Sequence, residues 1–407
     1  MRLLFVGNVC NFAYWFARWG RELGYETHAL IERDTPYPRD FPQWEDPDYE
    51  PAAPPPWVHL YQAGTAVNRA LHGYVDKELA RTLDGFDRIH TLTPAAAIAV
   101  DTLRREQVHH TVGSFARTSS WWRGLPVRTA ASPRRLPTVI RFRQAMARAD
   151  RIVVSTAVDH WEVNASHYRN KTVSLPVAYD VDAAARHARP WGSQLSGGRL
   201  RFILPARHDW SLKGQDTVFR ALASLSRTEL ARMEVVAFDW GVDRDRSRRL
   251  VQAMRLGDVV RFEPMLPKIA LWSELSAPGV VVIDQVPNLE FAGGGIGGVA
   301  RDAMAVGTPV ITHARPDAQM RIHAAAPPVL HTECSSEAVV ERVRQCLEMA
   351  PGDLDALGSK GRAWLREECH YTSVLPRLVE LHFEAVGGRL GMSGHEMDVD
   401  TKGARPR

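Results

Sequence analysis

Short apolar runs recur along the chain with amphipathic stretches between them, and this alternation limits the fold more than any other feature. A strand buried on both faces reads as a brief run of Val, Ile and Leu, and its parallel neighbour is reached only through a crossover, usually a helix. Leu3–Val6, Thr27–Ile31, Arg88–Thr91, His109–Val112 and Arg151–Ser155 read as strands, with Ala13–Leu23 and Pro94–Arg104 as helices. A second series begins after the polar, Pro- and Gly-containing stretch Arg186–Gly198. Its strands are Leu200–Leu204, Glu234–Phe238, Val259–Phe262, Val280–Ile283 and Pro309–Ile311, and its helices Gly214–Leu225, Asp245–Met254 and Ala300–Ala305. Helical patterns at Glu337–Met349, Asp353–Glu368 and Tyr371–Val386 follow. Repetition of this kind predicts an α/β fold of parallel sheets covered by helices.

At 407 residues the chain exceeds one ordinary core and suits two domains. The expected division is a domain over 1–185, a second over 199–370, a helix over 371–387 crossing back to the first, and a polar tail over 388–407. The connection Thr35–Pro56 is rich in proline, which removes donors and clashes with a preceding helical turn, so a surface loop is expected there.

Composition narrows the class. Hydrophobic content of 45% and charged content of 24% argue against disorder, and no window approaches the roughly 18 uninterrupted apolar residues of a spanning helix. The start, Met1–Val6, reads as a first buried strand rather than a leader. Cys10, Cys334, Cys346 and Cys369 are scattered without a C-x-x-C pair, which predicts neither a zinc site nor a disulfide framework and fits a cytoplasmic setting. Net charge is only +4, but eight arginines and no acidic residue lie between Ala116 and Ala149, beside Trp121-Trp122. Such a stretch can rest on anionic lipid at the inner membrane face, giving a peripheral contact through 116–149. A solvated arginine-rich face is the plainer reading. Nucleic acid is not expected, since no binding motif accompanies the charge.

Two loops carry chemistry. In "ILPARHDWSLKGQDTVFRAL" (Ile203–Leu222) a strand ends near Ala206, Arg207 and Lys213 follow, and Gly214 turns the backbone into a helix. Two cations above a sheet's carboxyl edge suit a diphosphate, which arginine grips through two oxygens and lysine meets as a point charge. Further on comes "GGGIGGVARDAMAVGTPV" (Gly293–Val310), again between strand and helix, with Gly295-Ile296-Gly297-Gly298-Val299-Ala300 fitting G-x-G-x-x-A. Free amides of Gly297, Gly298 and Val299 at a helix start form an anion site, and Asp302 one turn later can accept from ribose hydroxyls.

With those residues in view the chain resembles the carboxy-terminal domain of family 4 glycosyltransferases, GT-B enzymes that use nucleotide-sugar donors. The resemblance runs over most of residues 200–315. Arg207 through Lys213-Gly214 is similar to the family's R-x(5)-K-G loop. Gly295-Ile296-Gly297, Asp302-Ala303-Met304-Ala305 and Gly307-Thr308-Pro309-Val310 stand for successive parts of its E-G-F-G-x-x-x-x-E-A-M-A-x-G-x-P-V segment. "VVRFEPMLPKIALWSEL" (Val259–Leu275), including Met265, looks like the segment bordering the nucleobase. The resemblance implies two Rossmann-like domains facing across a cleft. It gives Arg207 and Lys213 the diphosphate, Gly295 and Gly297–Val299 amides for the donor, and Asp302 the ribose. It further implies transfer to a glycan, lipid-linked or small-molecule acceptor with retention of configuration.

The chain departs from the family pattern in two places. Gly294 occupies the position of a glutamate, with Glu290 four residues upstream. The histidine expected after the strand near "VHHTVGSF" (Val108–Phe115) falls on Val112 or Gly113, while His109 and His110 read as packed strand residues. No metal or resident cofactor is expected. D-x-D triplets occur at Asp46/Asp48, Asp180/Asp182, Asp243/Asp245, Asp353/Asp355 and Asp398/Asp400, mostly in polar connections, and the cations of Arg207 and Lys213 would make a divalent ion redundant. Other readings are an NAD(P)-binding oxidoreductase, a GT-B-fold binding protein without activity, and a sugar-nucleotide epimerase. The oxidoreductase is disfavoured because Leu3–Val6 leads into Asn8-Val9-Cys10-Asn11 rather than a glycine triad.

Overall fold

Every strand pairing among the described residues is parallel, as double-sided burial of the apolar runs requires. The computed structural model describes residues 1–33, 41–62, 76–111, 136–155, 168–188, 198–287 and 295–384. In the first half, β1 (Arg2–Val6), β2 (Glu26–Glu32), β3 (Val58–Tyr61), β4 (Arg88–Thr91), β5 (Val108–Thr111), β6 (Arg151–Val154) and β7 (Thr172–Ser174) form a sheet of order β3-β2-β1-β4-β5-β6-β7. In the second half, β8 (Leu200–Leu204), β9 (Met233–Phe238), β10 (Val260–Glu263), β11 (Val280–Ile283), β12 (Val310–Thr312) and β13 (Leu330–His331) form a sheet of order β10-β9-β8-β11-β12-β13. Both are doubly wound, and in each the winding reverses beside the first strand. Those reversals, between β1 and β4 and between β8 and β11, are where crevices open at the carboxyl ends of strands.

Helices cover both faces. The helix Phe12–Glu22 buries Tyr14, Phe16 and Trp19 against Leu3, Phe5 and Ala29 of the first sheet. In the second sheet Phe202, Leu204 and Val235 face Val218, Phe219 and Leu222 of the helix Gln215–Ala223, while Ile203, Val280 and Val282 face the opposite side with Ala303 and Met304.

Sequence order and packing part company at the junction. Leu175 and Ala178 lie in the first core, but Tyr179, Val181 and Ala184 already belong to the second, ahead of the expected boundary at 185. The helix Tyr371–Glu384 places Val374, Leu375, Leu378, Val379 and Leu381 back in the first core. The two passages run side by side. Tyr179 N donates to Cys369 O at 2.8 Å and Tyr371 N to Tyr179 O at 3.0 Å.

The proline-rich connection departs from expectation. Its described part buries Pro42, Asp46 and Tyr49, and Asp46 accepts from the hydroxyl of Tyr14 and the guanidinium of Arg18. Prolines exclude a regular helix there, but a carboxylate that engages two side chains of the neighbouring helix folds the segment onto the core. Of the arginine-rich stretch 116–149, residues up to 135 lie outside the described ones. The remainder is the helix Leu136–Arg148 and Ala149; Phe142 and Met146 of the helix pack on Ile98 and Ile152. No helix among the described residues is long and apolar enough to cross a membrane.

Candidate active site

The loops after β8 and β11 meet at the second reversal point. Asp209 caps the short helix Trp210–Lys213, accepting from Leu212 N at 3.2 Å, so Arg207 and Lys213 are spaced by a helical turn rather than by open loop. Gln215 fixes the loop from below by donating to Arg207 O at 2.7 Å and accepting from Asp209 N at 3.2 Å. Gly214 adopts φ +66°, and a Cβ there would stand 1.6 Å from Val286 O. That approach lets Val286 N donate to Lys213 O at 3.1 Å, joining the cationic loop to the segment that leads into the glycine turn.

Both cations keep part of their surface. Arg207 is 17% exposed and its guanidinium lies 3.4 Å from Asp209 Oδ2. Lys213 Nζ lies 4.0 Å from Oδ1 of Asp284, a fully enclosed carboxylate without a hydrogen-bond partner among the described residues. Gly297 is required beside that carboxylate, since a Cβ would stand 2.2 Å from Asp284 Oδ2.

The helix Gly298–Ala305 starts at Gly297 with no side-chain cap, leaving its first-turn amides to an outside acceptor. Among the described residues a Cβ at Gly295 or Gly298 would touch nothing within 4 Å. Val299 is partly buried against the second core. Met265 is half-buried in the connection from β10 to the helix Lys268–Leu275. Gly294 and Glu290 lie outside the described residues, as do Val112 and Gly113.

Asp302 is engaged more heavily than its sequence position implied. Its Oδ1 accepts from Lys268 Nζ at 2.8 Å, from Trp272 Nε1 at 3.2 Å and from the hydroxyl of Tyr179. Lys268 also meets Glu45 of the first domain at 3.5 Å, and Glu45 accepts from Trp15 Nε1 at 2.6 Å. One ammonium thus serves two carboxylates across the domain boundary. Burial works to lower the Lys268 pKa, but Asp302 and Glu45 outweigh it and raise it above the usual lysine range. Burial pushes the Glu45 carboxyl up; Lys268 pulls it down and Asp302 adds to the rise. No pattern in the sequence pointed to Glu45 or Tyr179, because their partners lie far away in the chain.

The histidines of β5 are both buried. His109 meets Thr91 Oγ1 at 3.0 Å and packs edge-on to Phe142. His110 bonds through Nε2 to Ser155 Oγ, and Ser155 itself donates to Leu175 O. The hydroxyl proton is therefore committed, Nε2 must be the donor, and Nδ1 is left with a lone pair and no partner among the described residues. Burial, and then the charge of Arg301, push the His110 pKa down to about 3.

Three carboxylates of the D-x-D triplets are engaged by other groups of the chain. Asp46 is held by Tyr14 and Arg18, Asp182 by Arg366 and His370, and Asp243 by Arg246 and Trp210 N. His313, His331 and Glu333, at the ends of β12 and β13, bring ligand atoms within 4.8 Å of one another. Glu333 is exposed there and pairs with His331 at 3.1 Å.

Residues 192–364 match the family model described as glycosyl transferases group 1. The second domain is a group 1 glycosyl transferase domain. The cationic loop, glycine turn and Asp302 all fall inside this transferase domain. Solved structures extend the likeness to the whole fold. Sucrose-phosphate synthase from Thermosynechococcus elongatus superposes with a TM-score of 0.72 at 16% identity, covering 96% of this chain and 100% of its own. HepE of Anabaena, in complex with UDP and glucose, gives 0.66 at 13% identity over 94% and 99%. WaaG, a glycosyltransferase of lipopolysaccharide biosynthesis, gives 0.63 at 14% over 93% and 99%. No curated protein matches the sequence significantly. The architecture is GT-B, two Rossmann-like domains, and the chain is a glycosyltransferase by the domain it carries.

Proposed function

We propose that this transferase moves a glycosyl group from a nucleoside diphosphate sugar to an acceptor resting on the first domain, with retention of configuration and without a metal ion. The observation that carries the reading is the backbone bond between Lys213 O and Val286 N. It joins the loop that carries two partly exposed cations to the segment after β11 that precedes the helix start, which supports a shared anion site at the reversal point of the second sheet. The HepE complexes with UDP and UDP-glucose support the donor class by analogy of fold.

In this reading the bond from the anomeric carbon to the diphosphate oxygen breaks as the acceptor hydroxyl bonds to the same face of that carbon. The hydroxyl proton passes to the departing diphosphate. Arg207 and Lys213 stabilise the charge that develops there, Asp209 and Asp284 hold the two cations in place, and the amides of Gly297, Gly298 and Val299 donate to remaining phosphate or sugar oxygens. The turn at Gly295 admits the donor, Met265 borders the base, and Asp302 meets the ribose through the oxygen that Lys268, Trp272 and Tyr179 leave.

Thermal unfolding with a panel of nucleoside diphosphate sugars tests the donor, because a ligand that binds only the folded chain raises its melting temperature. A shift with one or more of them is expected, and a response to NAD(P) alone would refute the reading. With the donor known, Lys213→Ala should slow transfer roughly 10²-fold or more.

A further inference from the structure

Beside Asp302, on the helix Gly298–Ala305, stands a charge with no hydrogen bond or ion pair of its own among the described residues. Arg301 is only 5% exposed. Among the described residues no hydrogen bond reaches its guanidinium and no carboxylate stands within ion-pair distance. Its neighbour Asp302 is committed to Lys268, Trp272 and Tyr179. The nitrogens of Arg301 are not among the fully enclosed unpartnered atoms, so the guanidinium keeps a path to solvent.

The groups within its electrostatic reach come from both domains. Cys369 and Tyr179 lie where the chain passes between domains, Cys10 in the loop after β1, His110 near the end of β5, and His323 after β12. Arg301's neighbour Asp302 pairs with Lys268, which meets Glu45 of the first domain, so Arg301 stands close to the boundary between the domains. The one carboxylate within reach is Asp302, and its Oδ1 is already shared by Lys268, Trp272 and Tyr179. The Cys369 thiol is pushed up to about 12 by burial, the His110 and His323 rings are neutral, and burial raises the Tyr179 hydroxyl above the usual tyrosine range. Arginine cannot shed its proton. A buried guanidinium whose nearest carboxylate is already bonded to another cation is incompletely compensated, a cost a ligand can remove.

We propose that Arg301 recognises an acidic group, a carboxylate or a phosphate monoester, on the acceptor. This rests on the glycosyl-transfer reading. The donor's diphosphate is assigned to Arg207 and Lys213 on the loop after β8, whereas Arg301 stands on the helix after β11. Two of the groups around it, Cys10 and His110, belong to the first domain, where the acceptor rests. The planar fork of arginine fits carboxylate and phosphate oxygens in pairs and offers nothing comparable to a neutral hydroxyl.

The test uses the full chain with whichever donor stabilises it, and compares kcat/KM for glucuronate, glucose 6-phosphate and glucose as acceptors, in wild type, Arg301→Met and Arg301→Lys. The readout is the ratio of acidic to neutral acceptor, which a loss of folding or of donor binding lowers equally on both sides. Wild type should favour one of the acidic acceptors about 10- to 100-fold. Arg301→Met should erase that ratio and Arg301→Lys restore part of it. The two acidic arms tell carboxylate from phosphate. A wild-type preference for glucose, or a ratio unchanged in Arg301→Met, overturns the assignment. Failure of every nucleoside diphosphate sugar to stabilise the chain would sink the transfer reading alone. Stabilisation by glucuronate or glucose 6-phosphate in wild type but not in Arg301→Met would then still uphold the anion site, and its absence would overturn it.

Discussion

Lowering the pH from 7.5 to 5 should remove most of this protein's stability, and the cause lies in histidines packed inside the fold. His90, His109, His110 and His382 are 0 to 1% exposed and His323 is 5% exposed. They crowd one another, with His90 Nδ1 3.1 Å from His382 Nε2 and the rings of His90 and His110 5.4 Å apart. Burial pushes His109, His110, His323 and His382 down to about 3, and His90 well below its ordinary value. In the unfolded chain each returns to about 6.5. These depressed groups stabilise the fold fully above pH 6.5, and the contribution is lost as pH falls towards 3, because the unfolded chain takes up protons first. At pH 5 the loss is about 2 kcal/mol per ring and about 10 kcal/mol for the set. A typical domain has only about 5–15 kcal/mol in total. Urea unfolding followed by tryptophan fluorescence between pH 7.5 and 5 gives the dependence directly. The slope should correspond to uptake of about four or five protons on unfolding. A midpoint that stays level to pH 5.5 would refute the argument, since it would mean that these rings are either hydrated or already charged in the fold.

Two further substitutions probe the site. Gly214→Val places a Cβ against Val286 O and forces a branched residue to φ +66°, so it should cost about 2 kcal/mol or more and weaken donor-induced stabilisation; a melting temperature equal to wild type would show that the two loops do not touch. Lys268→Met leaves Asp302 and Glu45 without their shared ammonium and should cost ~3 kcal/mol at neutral pH. Burial raises the Glu45 carboxyl, so this penalty should shrink as the solution is acidified and Glu45 takes a proton. A pH-independent penalty would mean that the lysine serves packing rather than charge.

The strands were legible where burial on both faces leaves an uninterrupted apolar run. Leu200–Leu204 and Val280–Ile283 stand in the structure at the bounds the sequence implied. Val58–Tyr61 and Leu330–His331 were not, because one alternates with a polar residue and the other is two residues long; each is defined by its neighbour's hydrogen bonds. The same holds at the site. Arg207, Lys213 and the glycine turn could be read from their places after strands, and the pairing of β8 with β11 is what brings them together. Their contact through Gly214 depends on a distance that no spacing encodes. Asp302 was visible as an acid one turn into a helix, but its three donors lie in distant parts of the chain. Arg301, its neighbour in the quoted stretch, is notable only for what does not surround it, and a sequence carries no record of that.

The return of the helix Tyr371–Glu384 to the first domain bears on how the molecule is made. Leu375 and Val379 belong to the same core as Phe5 and Phe16, so a chain emerging from the ribosome cannot complete its first domain until the second has been synthesised. The second domain, whose core spans little more than residues 179–369, has all its parts earlier. Vectorial synthesis therefore favours maturation in the reverse of numbering order, with the last helix closing the first domain.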